Sequence, residues 1–258
     1  MIGQNSFSIA FSLLRRASRE SAHSRSAFAY MFLSAFATAS VGGFVIWLLF
    51  SRLGTATRSP IDHALFVLGV FLTVEGLMSV FLSPALLKLS AQIRSGEFDA
   101  MLLLPGSLQL RITLGQANIW RLIDVAIGIA ILSFSLRNDT SANPFLVAIA
   151  IACGMSIAYS LWLLVFSFNL WLLRLENILQ LLSVYLSFCR YPFSLYPIWF
   201  IKFLTFSTPL AFVSTIPAQV AFGELDAAFL PLSIIVACTV HALSQLAFRR
   251  AINAFTGI

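Results

Sequence analysis

Apolar and polar residues in this chain fall into long blocks rather than short alternations. Residues 26–51 carry no charge, and a helix needs about 20 apolar residues to cross the hydrocarbon core of a bilayer. This block therefore predicts a first membrane span. A second is predicted over 63–87, apolar except for Glu75, and a third over 112–136, interrupted only by Arg121 and Asp124. Residues 140–173 are uncharged over a length greater than one straight crossing needs. Their polar opening, Thr140-Ser141-Ala142-Asn143, runs into Pro144, which suits the first helical position, so the fourth span is placed over 144–173. The last span is predicted over 227–248.

The stretch before that last span is irregular. Residues 177–189 are apolar but end at Arg190, and Pro192, Pro197, Pro209 and Pro217 follow within an otherwise apolar run. Proline inside a helix removes a hydrogen bond and clashes one turn back, and in lipid a freed carbonyl is tolerated only where protein or a cavity shields it. A fifth span over 176–191 is therefore expected, followed by short re-entrant or external helices in 192–226. Tyr191, Tyr196 and Trp199 stand where an interfacial aromatic belt would put them.

Two polar segments lie outside the spans. Over 1–25, Phe7, Ala10, Phe11 and Leu14 recur at helical spacing while Arg15, Arg16 and Arg19 lie around the other side. This pattern reads either as an interfacial amphipathic helix on the cytoplasmic surface or as a simple basic tail. Between spans two and three, Gly96 can end a helix at a left-handed position. Glu97 and Asp99 then suit the positive end of a second short helix, which carries Met101 to Leu104 and stops at Pro105. Its exposed leucines fit either a groove on a partner protein or a fold back onto the bundle.

Composition turns these blocks into a class. Hydrophobic residues make up 59% of the 258 and charged residues only 10%, against roughly 25% charged in a soluble domain. A water-soluble fold and a disordered chain are both excluded, and an all-α integral membrane protein is expected. The net charge of +6 comes from 14 Arg and 2 Lys scattered among apolar runs, a pattern of membrane topology rather than of nucleic-acid binding. With both ends in the cytoplasm, ten Arg or Lys fall inside and five outside (Arg52, Arg58, Arg137, Arg190 and Lys202). Cys153, Cys189 and Cys238 sit in apolar stretches without metal-site spacing, as small buried hydrophobes do.

Catalytic motifs are lacking. A phosphate-binding loop needs Gly-Lys, and neither Lys88 nor Lys202 follows a glycine, so the chain is not expected to hydrolyse ATP by itself. No metal site is expected, and no cofactor bound by this chain. The charged residues inside spans are Glu75, Arg121 and Asp124. Counted from the cytoplasmic ends at about 1.5 Å per residue, the three lie at similar depth, with Arg121 and Asp124 on one face at i, i+3. Such a cluster either pins two helices together or serves a coupling ion in a secondary transporter.

Three motifs resemble those of a known family. The run from Ser95 and Gly96 through Glu97, Phe98, Asp99, Leu102, Leu103, Leu104 and Pro105 is similar to the R-G-E-L-D-x-x-L-L-R-P signature of bacterial ABC-2-type permeases, with Leu104 where that family usually has Arg. Arg190-Tyr191-Pro192-Phe193-Ser194-Leu195-Tyr196-Pro197 with Trp199 resembles its R-Y-P-x-S-I-Y-P-x-W stretch. Thr208-Pro209-Leu210-Ala211-Phe212-Val213 with Pro217-Ala218 follows its pattern too. The resemblance covers essentially the whole chain. It implies the six-helix membrane subunit of an ABC exporter in the bacterial inner membrane, with both termini cytoplasmic. In that family an interfacial N-terminal helix, a coupling helix between spans two and three and re-entrant helices before span six recur. The implied assembly is a homodimer, or a heterodimer with a related permease, joined to ATP-binding subunits that hold ATP and Mg. Gly96, Glu97, Phe98, Asp99, Leu102, Leu103 and Pro105 would dock the ATPase. Arg190, Tyr191, Pro192, Tyr196, Pro197 and Trp199 would belong to an external gate.

Overall fold

The computed structural model describes residues 25–52, 58–85, 88, 92, 95–97, 108–114, 117–137, 143–172, 178–225 and 229–256. Every regular element among them is helical. In order these are α1 (Arg25–Arg52), α2 (Arg58–Phe81), α3 (Leu108–Leu114), α4 (Leu122–Ser135), α5 (Pro144–Leu172), α6 (Ile178–Leu186), α7 (Ile198–Phe206), α8 (Thr215–Ala221) and α9 (Leu230–Thr256). Among the described residues, four helical stretches are long and apolar enough to cross a membrane: Phe28–Ser51, Pro60–Ala85, Pro144–Phe168 and Leu230–Ala254. The expected interfacial helix over 1–25 lies outside the described residues, apart from Arg25, which opens α1.

The local chemistry of the helix starts is plain. At the start of α5 the Asn143 side-chain oxygen accepts the backbone N–H of Phe145 at 3.0 Å, capping a helix whose first residue is Pro144. Pro231 occupies the first turn of α9, where its missing N–H costs nothing.

Helix α2 is the centre of the bundle: 72% of its most apolar window is buried, against 17% for α1 and 22% for α9. One side of α2 is covered by α4, running antiparallel. The Ser135 hydroxyl at the end of α4 donates to the carbonyl of Asp62 near the start of α2. At the other end the Asn118 N–H donates to the carbonyl of Val80 at 2.8 Å. Helix α1 lies against this pair, with Leu68 touching the Gly42 position. Its outer side presents Phe32, Phe36, Phe44 and Trp47, a surface suited to lipid and not to water.

Helices α5 and α9 form the second pair and run parallel. Phe166 meets Phe248 with ring centroids 5.5 Å apart, and the Ser160 hydroxyl lies 3.2 Å from His241 Nδ1. A parallel pair begins at one end of the bundle, the end where α2 also begins.

Two elements differ from the sequence expectation. The third span, expected as one helix over 112–136, is divided into α3 and α4. The backbone leaves the helix at Asn118 (φ −97°, ψ 94°), where its N–H pairs with Val80 instead of the preceding turn, and a 3-10 turn over Ile119–Arg121 restarts the chain. The last helix runs on to Thr256, so Arg249 and Arg250, expected in a tail after the span, are part of α9.

Candidate functional site

The proline-rich segment is short helices throughout. Pro192 precedes a 3-10 turn at Phe193–Leu195, Pro197 precedes α7, and Pro209 precedes a 3-10 turn at Leu210–Phe212. Each proline stands at the cap, where the ring fixes φ and no helical N–H is required. Pro217 falls in the first turn of α8.

Contacts place this segment deep in the bundle. Helix α6 continues as a 3-10 turn over Ser187–Arg190. At its tip the Arg190 guanidinium lies over the ring of Phe71, 5.1 Å from the centroid, half-way along α2. The chain then turns outward and comes back: Ser214 Oγ donates to the Cys189 carbonyl at 2.9 Å, the Cys189 thiol meets the Leu210 carbonyl at 3.6 Å, and the Tyr185 and Thr208 hydroxyls bond. A Cβ on Gly154 would stand 2.7 Å from the Phe212 carbonyl oxygen and 2.8 Å from that of Val213. Gly154 is ten residues into α5, so this backbone sits about 15 Å below the helix start. Non-helical backbone at that depth is shielded by protein on all the sides these contacts define. The segment leaves the bundle once more through α8, ending with Phe222 edge-on to His63 near the start of α2.

The intramembrane charges gather on α2 and α4. These helices meet backbone to backbone, since a Cβ on Gly76 would lie 2.9 Å from the Val125 nitrogen and 3.1 Å from the Asp124 Cβ. The absence of a side chain at Gly76 thus brings neighbouring Glu75 beside Asp124. Arg121 Nη1 binds Asp124 Oδ2 at 3.2 Å. Glu75 is buried within the electrostatic reach of Arg190, Asp124 and Arg121. Two carboxyl groups and two guanidinium groups therefore share this layer. The sequence reading assembled Glu75, Arg121 and Asp124 and counted Arg190 among the external residues. The structure draws Arg190 inward, its Nε buried and without a hydrogen-bond partner. The signal was present: Arg190 is the one charged residue between 177 and 201, and a lone arginine at depth calls for acidic company.

Glu75 also faces a cavity of about 50 Å³, lined by Ser79 one turn further along α2, by Ser83 just past its end, by Ser183 of α6 and by Trp162 of α5. The Trp162 indole N–H is buried without a partner. The space and the polar lining are enough for a few water molecules.

The remaining sequence-predicted residues separate into two groups. Tyr191 is half-buried, Pro192 buried and Pro197 exposed. The Tyr196 hydroxyl donates to the Phe188 carbonyl at 3.3 Å, and its ring packs edge-on against Phe200, whereas Trp199 is 71% exposed. In the loop between α2 and α3, Gly96 has φ +76° with no atom within 4 Å of where a Cβ would stand. Ser95 and Glu97 beside it are exposed. Phe98, Asp99, Leu102, Leu103 and Pro105 lie outside the described residues.

A family model described as ABC-2 family transporter protein matches residues 36–258. No curated protein matches the sequence.

Proposed function

The chain belongs to the ABC-2 transporter family, and from that premise we propose that it is the permease subunit of an ABC exporter, forming the substrate path and coupling it to a separate ATP-binding subunit. Family members of this kind are typically non-catalytic, with the ATPase in a partner chain. The exposed loop at Gly96 carries the reading: a left-handed glycine beside an exposed carboxylate stands clear of the bundle, as a docking element must. Glu97 and Asp99 would stabilise the start of a short helix, while Phe98, Leu102 and Leu103 would fill an apolar cleft in the ATPase and Pro105 would end the element. ATP and Mg belong to that partner. The permease itself would work as a homodimer, or as a heterodimer with a related chain, in the bacterial inner membrane with both termini cytoplasmic.

The bundle supplies a mechanical route. The loop at Gly96 follows α2, and α2 and α4 touch backbone to backbone, so a displacement of the loop would move both helices as one body. Phe71 on that body carries the Arg190 guanidinium over its ring, and Arg190 leads into the proline-rich segment. Motion of the ATPase dimer would in this way reach Tyr191, Pro192, Tyr196, Pro197 and Trp199, the proposed external gate. The alternative, an ion-coupled secondary transporter using Glu75, Arg121 and Asp124, fits the geometry less well. A coupling-ion site needs an unmatched carboxylate, and the Asp124 carboxylate is already bound by Arg121.

Copurification tests the proposal. A buried aromatic anchor at an interface is worth about 2 kcal/mol or more, so Phe98→Ala, or Leu102→Asp with Leu103→Asp, should abolish ATPase copurification and transport while leaving membrane insertion intact. Wild-type ATPase binding and export by these variants would refute the docking assignment.

A further inference from the structure

A second cavity lies away from the charge cluster, at the end of the bundle where α2, α5 and α9 begin. Its volume is about 480 Å³, within the about 300–1,000 Å³ range of small-molecule sites. It is bounded by α7, the segment from Ala211 to Gln219, and the start of α9. No ionised side chain lines it among the described residues. Its walls are apolar, with neutral hydrogen-bonding groups from Ser194, Thr205, Thr215, Gln219 and Ser233. The Thr205 and Ser233 hydroxyls are already spent on helix carbonyls one turn back. Thr215 differs: it is 9% exposed, and its buried hydroxyl has no partner. A buried hydroxyl left unsatisfied costs about 1–3 kcal/mol, so an acceptor supplied from the cavity would stabilise the site.

Helix α7, which lines the chamber through Ile201 and Thr205, also carries a cation. Lys202 precedes Thr205 by three residues on α7, which puts both on one side of the helix; it is exposed and makes no ion pair with any described carboxylate. Leu232 and Phe229, each about half-exposed, border the opposite rim. An apolar, uncharged chamber with a buried, unpartnered hydroxyl inside and a positive group on an adjoining helix matches an anionic phospholipid. The acyl chain would fill the chamber, an ester carbonyl would accept from Thr215, and the phosphate would meet Lys202. We propose that this cavity binds one acyl chain of an anionic phospholipid from the adjoining leaflet, seating a lipid between the proline-rich segment and α9.

The full-length chain in lipid nanodiscs can be photolabelled with phosphatidylglycerol carrying a diazirine on one acyl chain, and in parallel with a diacylglycerol carrying the same chain. The expected result is labelling concentrated on the cavity residues between 193 and 233, competed by excess unlabelled phosphatidylglycerol. Thr205→Phe, which fills the chamber, should cut the labelling about tenfold, and the near-isosteric Thr215→Val should cut it several-fold without affecting folding. Lys202→Gln should weaken phosphatidylglycerol labelling several-fold and leave diacylglycerol labelling unchanged. The proposal is overturned if label spreads evenly over the exposed face of α1, if unlabelled phosphatidylglycerol does not compete, or if Thr205→Phe and Thr215→Val both label as wild type. It is also overturned if Thr205→Cys forms a disulfide with a second copy of the chain, because the cavity would then be closed by protein.

Discussion

Arg190 lies over the ring of Phe71, 5.1 Å from its centroid, and this contact sets the depth of the whole proline-rich segment. A guanidinium stacked on an aromatic face keeps its charge while shedding little hydration. Such a group can root a re-entrant chain where an ammonium would not. Arg190→Lys is therefore expected to behave as a disruptive change. Arg190→Ala should lower the yield of folded, monodisperse protein, because it leaves the two carboxylates facing a single arginine. An uncompensated charge at this depth costs about 2.5–3.5 kcal/mol on insertion scales. Adding Glu75→Gln to Arg190→Ala should recover part of the loss, and strictly additive effects in the double variant would argue against the coupling.

Arg121 offers a sharper comparison between partners. It binds Asp124 at 3.2 Å, whereas no hydrogen bond or ion pair joins it to Glu75. Arg121→Ala should reduce folded yield, and Asp124→Asn should rescue it better than Glu75→Gln does. Equal rescue by the two would mean that the cluster acts only as a diffuse field. Arg121 is 37% exposed in its side chain, so the pair itself contributes modestly, about 1 kcal/mol or less.

Gly154 and Gly43 form a matched pair of substitutions. A methyl group at Gly154 would enter the space of the Phe212 and Val213 carbonyls, while nothing lies within 4 Å of one at Gly43. Gly154→Ala should thus lower the melting temperature of the detergent-solubilised protein, at a cost of about 1–3 kcal/mol for forced backbone displacement. Gly43→Ala should be neutral or slightly stabilising, since alanine is the better helix former. A silent Gly154→Ala would show that the segment does not press on α5 in the membrane.

Orientation can be read chemically. In a variant lacking Cys153, Cys189 and Cys238, a membrane-impermeant thiol reagent added outside should modify Thr57→Cys and Asp139→Cys but not Ser95→Cys. The expectation follows from the arginine and lysine bias. Labelling of Ser95→Cys alone would invert the topology.

What could be read from the sequence is what local chemistry decides. An uncharged run of helix-spanning length has one stable form in lipid, so α1, α2, α5 and α9 were legible from composition alone. The four prolines announced that the segment before α9 would be broken, because each removes a donor within its own turn. The Arg121–Asp124 pair was also legible, its two members being one turn apart on one helix. The tertiary structure decided what joins distant parts of the chain. The division of the third span depends on the Val80 carbonyl, 38 residues from Asn118. The inward position of Arg190 depends on Phe71, over a hundred residues earlier, and the need for glycine at 154 depends on the returning carbonyls of Phe212 and Val213. Hydropathy records how each segment meets lipid, which is a property of the segment. It carries no record of which buried donor, charge or backbone surface a segment will meet across the bundle, because those partners are brought together only by packing.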